Sequence, residues 1–142
     1  MIQRVQTLWM LAALISQLVL AFLPFAAGPG YSYSAWTLLG QGQVLPGAST
    51  LLTAFGMGLL MPLMAVFLYK KRKVQARVLV YALVSQGLFS IFAWTRALGM
   101  EGLNLAGSAG LFWPVISIVC LSLAIRGVMK DEALVRSMDR VR

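Results

Sequence analysis

Histidine is absent from these 142 residues, and cysteine occurs once, as Cys120. Without imidazole there is no His ligand for haem or another metal, no His general base, and no Ser/His/Asp or Cys/His nucleophile set. A single thiol makes no internal disulfide and cannot serve a quinone-linked thiol oxidoreductase, which needs paired cysteines. Cys120 lies inside an apolar run and reads as a small packing residue. Acids are nearly as scarce: Glu101, Asp131, Glu132 and Asp139 are the whole complement. None falls inside a membrane-length run, so the embedded carboxylate with which small four-helix drug exporters couple protons is missing. Charged residues make up 11% of the chain, against about 25% in a soluble domain, too few to cover a water-facing surface. Neither a cofactor nor an enzymatic activity is expected.

What is present is apolar: 60% of the residues are hydrophobic. They gather in four runs of membrane length, residues 5–25, 49–69, 78–98 and 110–128. As a helix the first run spans about 31 Å, which matches a hydrocarbon core of about 30 Å. It is longer than the h-region of a signal peptide, about 7–15 residues, so it is expected to stay as a span despite the faintly cleavage-like Phe25-Ala26-Ala27. The predicted fold is an all-α membrane protein, one domain of four transmembrane helices across residues 1–142. In the second run Ala54 and Gly58 have the small-xxx-small spacing that lets helices approach closely. Pro62 removes one helical hydrogen bond there and should bend the helix modestly. Trp113-Pro114 suits the first turn of the fourth helix.

Charge orients these runs. Residues 70–77 hold Lys70, Lys71, Arg72, Lys73 and Arg77 between the second and third runs, and such a knot of cations is a cytoplasmic loop. Fixing that loop inside places eleven cations on one side: Arg4, those five, Arg126, Lys130, Arg136, Arg140 and Arg142. Arg96 alone falls on the other, where it can snorkel to the headgroups and pair with Glu101. Both termini are therefore expected in the cytoplasm of a bacterial inner-membrane protein. Cations at segment ends orient a membrane protein rather than track a nucleic acid, so no nucleic-acid partner is expected. Anionic lipids of the inner leaflet are, at about 1 kcal/mol per cation near the surface.

The longest connection, residues 28–48, is uncharged and rich in Gly and Pro. Tyr31-Ser32-Tyr33-Ser34-Ala35-Trp36 alternates aromatic and polar residues at first, which suits a short strand or hairpin with a turn near Gly40-Gln41-Gly42. Its rings read as an aromatic belt rather than a ligand-binding loop. Inside the runs, Gln17 and Gln86 are candidates for an interhelical contact worth about 0.6–2 kcal/mol. Both end similar quartets, Leu14-Ile15-Ser16-Gln17 and Leu83-Val84-Ser85-Gln86, a hint of two parallel hairpin repeats that the placement of Pro62 and Pro114 does not support.

Residues 130–142 differ in kind. Leu134, Val135, Met138 and Val141 fall on one face of a helix. Glu132 and Arg136 are an i, i+4 pair, and Asp139 is three residues from Arg136 and from Arg142. A free helix this short is marginal, so a short amphipathic cytoplasmic helix is expected to lean on a surface. That surface is the inner leaflet, the protein's own cytoplasmic face, or a partner.

The start Met1-Ile2-Gln3-Arg4-Val5-Gln6-Thr7 and the finish Lys130-Asp131-Glu132-Ala133-Leu134-Val135-Arg136-Ser137-Met138-Asp139-Arg140-Val141-Arg142 resemble those of a small bacterial four-helix inner-membrane family carried as a domain of unknown function. The resemblance covers the whole chain in layout and brings no activity, cofactor or catalytic residue. It implies that the distinctive residues lie at Gln3 and Arg4 and in the tail, on one side of the membrane.

Three functions remain to be weighed. An enzyme finds no acid, base or nucleophile set. A small oligomeric transporter or channel would have to use Gln17, Gln86, Ser85, Ser90, Ser117 and Ser122, the only polar interior candidates. A non-catalytic accessory or assembly subunit of a larger membrane complex fits best. Its partner or lipid contacts would be Gln3, Arg4, Lys70, Lys71, Arg72, Lys73, Arg77, Leu134, Val135, Arg136, Met138, Arg140 and Arg142. The topology has a direct check: in a Cys120→Ser background, a cysteine replacing Ser34 should react with an impermeant thiol reagent from outside and one replacing Ser137 should not. The reverse labelling would overturn both termini inside.

Overall fold

The computed structural model describes residues 2–40, 47–69 and 71–139. Lys70, Arg140 and Arg142 lie outside the described residues, as do the side chains of Gln3, Arg4, Arg136 and Met138. The described chain is mostly helical. It runs α1 (Ile2–Phe22), a hairpin of β1 (Ala26–Gly28) and β2 (Tyr31–Tyr33), a short α2 (Ala35–Gly40), α3 (Ala48–Phe67), α4 (Arg72–Leu98), a 3₁₀ turn (Ala109–Leu111) and α5 (Pro114–Asp139). Four of the helices, α1, α3, α4 and α5, are long and apolar enough to cross a membrane, so the chain is a multi-pass membrane protein.

The four pack in a ring. α1 lies against α5 and α3, and α4 lies against α3 and α5, so that α1 and α4 face each other across a diagonal. Buried residues recur at alternating steps of four and three, the spacing that knobs-into-holes packing of nearly aligned helices requires. On α1 the seam is Gln6, Met10, Ala13, Gln17 and Leu20; on α4 it is Gln75, Leu79, Ala82, Gln86, Phe89 and Ala93; on α5 it is Ser117, Leu121, Ala124, Val128 and Asp131. Ala54 and Gly58 are both buried on α3, so the small-residue spacing does face the bundle.

The element boundaries correct two expectations. The loop expected over residues 70–77 is largely helix, since α4 begins at Arg72. Helix is the lower-energy state there because hydrogen-bonded backbone can continue out of the bilayer, whereas an extended loop would leave its amides to water alone. The tail is not a separate helix either. α5 runs unbroken from Pro114 to Asp139, past Gly127. At the other end of the bundle a hairpin does form, turning at Pro29-Gly30, where Gly30 has φ 83°; Gln41 and Gly42, where a turn was expected, lie outside the described residues. Proline presets φ for the first turn position and glycine takes the positive φ of the second.

The connections at that end are knitted into one cap. The Asn104 amide donates to Ala27 O at 2.8 Å, the Gly110 amide to Pro24 O at 2.9 Å, and the Ala27 amide to Ser108 Oγ at 3.0 Å. Tyr31 donates its hydroxyl to Glu101 O at 3.0 Å and stacks on Tyr33. Arg96 lies over Gly47 rather than pairing with Glu101. Gly110 is the least yielding joint, because a Cβ there would stand 2.8–2.9 Å from the backbone carbonyl oxygens of Pro24 and Leu23. Backbone cannot step aside cheaply, so Gly110→Ala should cost about 1–3 kcal/mol and lower the unfolding midpoint in detergent by several degrees. Gly56→Ala, which meets nothing within 4 Å, should leave the midpoint unchanged or raise it slightly.

Candidate functional site

Two polar places break the apolar bundle. The first is a layer near its middle. Gln17 on α1 is 1% exposed and Gln86 on α4 is 0% exposed. They were expected to bond across neighbouring helices. Their helices are instead diagonal partners, and the amides converge on Gly58 of α3, where a Cβ would lie 2.8 Å from Gln86 Oε1 and 3.0 Å from Gln17 Nε2. Gln17 Nε2 donates to Phe55 O at 3.3 Å. Gln17 Oε1 and both amide atoms of Gln86 have no hydrogen-bond partner among the described residues. Pro62, in the same helix, has no N–H to offer the Gly58 carbonyl four residues back.

Ser16, Ser85 and Ser117 are buried at the same level. Ser16 and Ser117 share a hydrogen bond of 2.8 Å between α1 and α5, and Trp113 Nε1 donates to Ser16 O at 2.8 Å. All four spanning helices thus contribute to one stratum. It divides the core into a cluster containing Leu20, Phe25, Phe55 and Phe89 and another containing Met10, Leu79, Leu121 and Val128. Ser90 and Ser122 take no part, since each donates to its own helix, to Gln86 O and Ile118 O respectively.

The second place is the charged end, where the start of α1, the α3–α4 connection and the end of α5 meet. Gln6 Nε2 donates to Asp131 Oδ2 at 2.5 Å, with both side chains buried and Gly127 beneath Gln6. Gln75 donates to Ala65 O at 2.9 Å. Neither Gln6–Asp131 nor Gln75 figured among the expected contacts, because residues 70–77 and 130–142 read as solvated segments. The seams carried the missed signal. Gln6, Gln17, Gln75 and Gln86 all fall on the four-three spacing of a core face, and Asp131 continues the α5 seam.

The basic residues gather around the first turns of α4. Lys73 Nζ lies 4.0 Å from Glu132 Oε1, a weak pair between an exposed lysine and a half-buried glutamate. Arg77 has no acidic partner among the described residues. The first turn of α4 holds no acid, so Arg72 and Lys73 stand at the positive end of the helix dipole, an unfavourable placement that a bound anion would relieve. On α5 the seam is at least nine-tenths buried from Ser117 to Asp131, yet Val135, the next position, is 37% exposed and neighbouring Leu134 is 44% exposed. Gln6 sits at the start of the apolar stretch of α1, so its bond to Asp131 sets residue 131 level with that edge. Leu134 and Val135 then project about 5–6 Å further, at 1.5 Å per residue.

No group of three or more His, Cys, Asp or Glu among the described residues could hold a metal ion. Residues 2–141 match the model of a family described as Domain of unknown function (DUF4293). No curated protein and no solved structure matches the chain.

Removing the Gln6 amide strands a buried carboxylate, whereas removing both partners strands nothing. Gln6→Leu should therefore cost about 1–3 kcal/mol, and Gln6→Leu with Asp131→Leu clearly less than the sum of the two single changes. Denaturant unfolding in mixed micelles checks this; strict additivity would mean that the two residues do not interact.

Proposed function

The chain belongs to the DUF4293 family, and we propose that it serves as a non-catalytic accessory or assembly subunit of a larger inner-membrane protein complex, docking through its charged end. That end is read as cytoplasmic from the eleven-to-one division of cations. The observation that carries the proposal is the α5 seam. It is core for four steps, then leaves the bundle with Val135 exposed and Leu134 beside it. An apolar core line that outruns its own partners is what a helix offers to another helix. The Gln6–Asp131 bond holds the stem of that helix to α1, so the projecting turns are presented in a set direction. Ordering them on binding costs little.

A second reading, a small oligomeric transporter or channel, draws on the polar stratum. Unpartnered buried amides in a membrane interior are costly and often mark a path. Proteoliposomes separate the two readings: a solute leak above that of protein-free vesicles, abolished by Gln17→Leu with Gln86→Leu, would favour the transporter.

For the accessory role, the tagged protein is isolated in mild detergent and its companions are identified by mass spectrometry. Leu134→Ser with Val135→Ser should reduce the specific companion about tenfold or more while the four spans still insert. If Arg140→Glu with Arg142→Glu does the same and the apolar pair does not, the tail is a lipid anchor. If neither change alters the companions, docking through this end is wrong.

A further inference from the structure

Between α4 and α5, at the charged end, lies a groove of about 470 Å³ lined, among the described residues, by those two helices alone. Its α4 wall presents Lys73, Arg77 and Tyr81, each one step of four residues below the last, with Val80 beside them. Its α5 wall presents Glu132, Met129 and Ile125 in the matching descent. The Lys73–Glu132 pair of 4.0 Å places the two walls in register at the top. Each step of four residues drops about 6 Å along a helix. From the charged end inward, the groove therefore passes from an ion pair, to an arginine facing a methionine, to a tyrosine facing an isoleucine. Val80, Tyr81 and Met129 are exposed on the lipid-facing surface.

We propose that this groove is a binding site for one anionic phospholipid of the adjoining leaflet. The vertical order of the walls is the vertical order of such a lipid. Arg77, without an acidic partner among the described residues, takes the phosphodiester through paired N–H donors. Lys73 stands within reach above it and also pairs with Glu132, the one acid among the described lining residues. Tyr81 sits at the depth where a ring with a polar tip is favoured and offers its hydroxyl to the ester region. Val80, Ile125 and Met129 line the path of the upper acyl chain, and methionine adapts to an irregular chain better than a branched residue would. A zwitterionic lipid brings its own cation to the same place and gains less. A basic pocket between helices at the membrane edge has the chemistry for an acidic headgroup. The site requires neither the docking role nor a particular orientation, because the groove and its charges are properties of the bundle.

Native mass spectrometry of the full chain, released from detergent with equal amounts of phosphatidylglycerol and phosphatidylcholine, tests it. The unaltered protein should hold the anionic lipid with a preference of about tenfold or more, as two cations near a phosphate imply. Lys73→Gln with Arg77→Gln should remove that preference. Arg126→Gln with Lys130→Gln, which discards the same charge from the same end outside the groove, should keep it. Val80→Trp, which fills the groove at an exposed position and alters no charge, should also lose the lipid. Unchanged helical content and elution volume certify the fold of each variant. Equal loss from both charge pairs would show diffuse attraction and overturn the site, as would retention by Val80→Trp. Displacement by millimolar glycerol phosphate would assign the groove to a soluble phosphate and likewise overturn a lipid.

Discussion

Hydrocarbon offers no hydrogen bonds, and most of the arrangement described above follows from that. Backbone amides must be satisfied within their own segment, so every crossing is a helix. The same demand falls on side chains. Ser90 and Ser122 meet it within one helix, by bonding the carbonyl four residues back. Ser16 meets it across helices, reaching Ser117 while its own carbonyl accepts from Trp113. Gln75 finds Ala65 O at the edge of the α3–α4 turn, and Gln6 finds Asp131. At the far end, where water and headgroups return, the backbone leaves helix at once and forms a hairpin in which the Ala27 amide donates to Ser108 Oγ and the Ala27 carbonyl accepts from the Asn104 amide.

The central stratum is where this demand is least well met. Two glutamines from diagonal helices approach Gly58, and three of their polar atoms remain without partners among the described residues. Only glycine allows both amides so near α3, because a Cβ would press on each of them. Apolar clusters close the stratum above and below. The bundle is thus two apolar cores joined by a polar seam, and an inexact register would bury an amide against leucine. Such a layer specifies alignment more than it adds stability.

The charged end carries opposite tendencies. Cations crowd the positive pole of α4, where a helix prefers acids, while the α5 seam runs past its neighbours with apolar residues exposed. Both are unfavourable in isolation. Both would be relieved by something outside the chain, an anion for the first and an apolar surface for the second. The lipid groove and the docking seam proposed here are those two reliefs, about one helix turn apart.

The number of crossings and their approximate positions were legible because hydrophobic length is a one-dimensional property. α3, expected over residues 49–69, runs Ala48–Phe67. The absence of histidine and the scarcity of acids likewise narrowed the chemistry without any coordinates. What lay beyond reach was everything that depends on which helix faces which. Gln17 and Gln86 stood out as polar residues in apolar runs, but a string of letters does not say that α1 and α4 are diagonal, or that Gly58 stands between them. Residues 70–77 read as a loop because charge marks membrane edges, and charge does not say whether the backbone there stays helical. Asp131 read as part of a free tail because its partner, Gln6, is 125 residues away. Composition and run length therefore determined the solvent and the class of fold. The pairing of seams across the bundle, which sums many weak contacts between residues distant in sequence, was decided only by the tertiary structure.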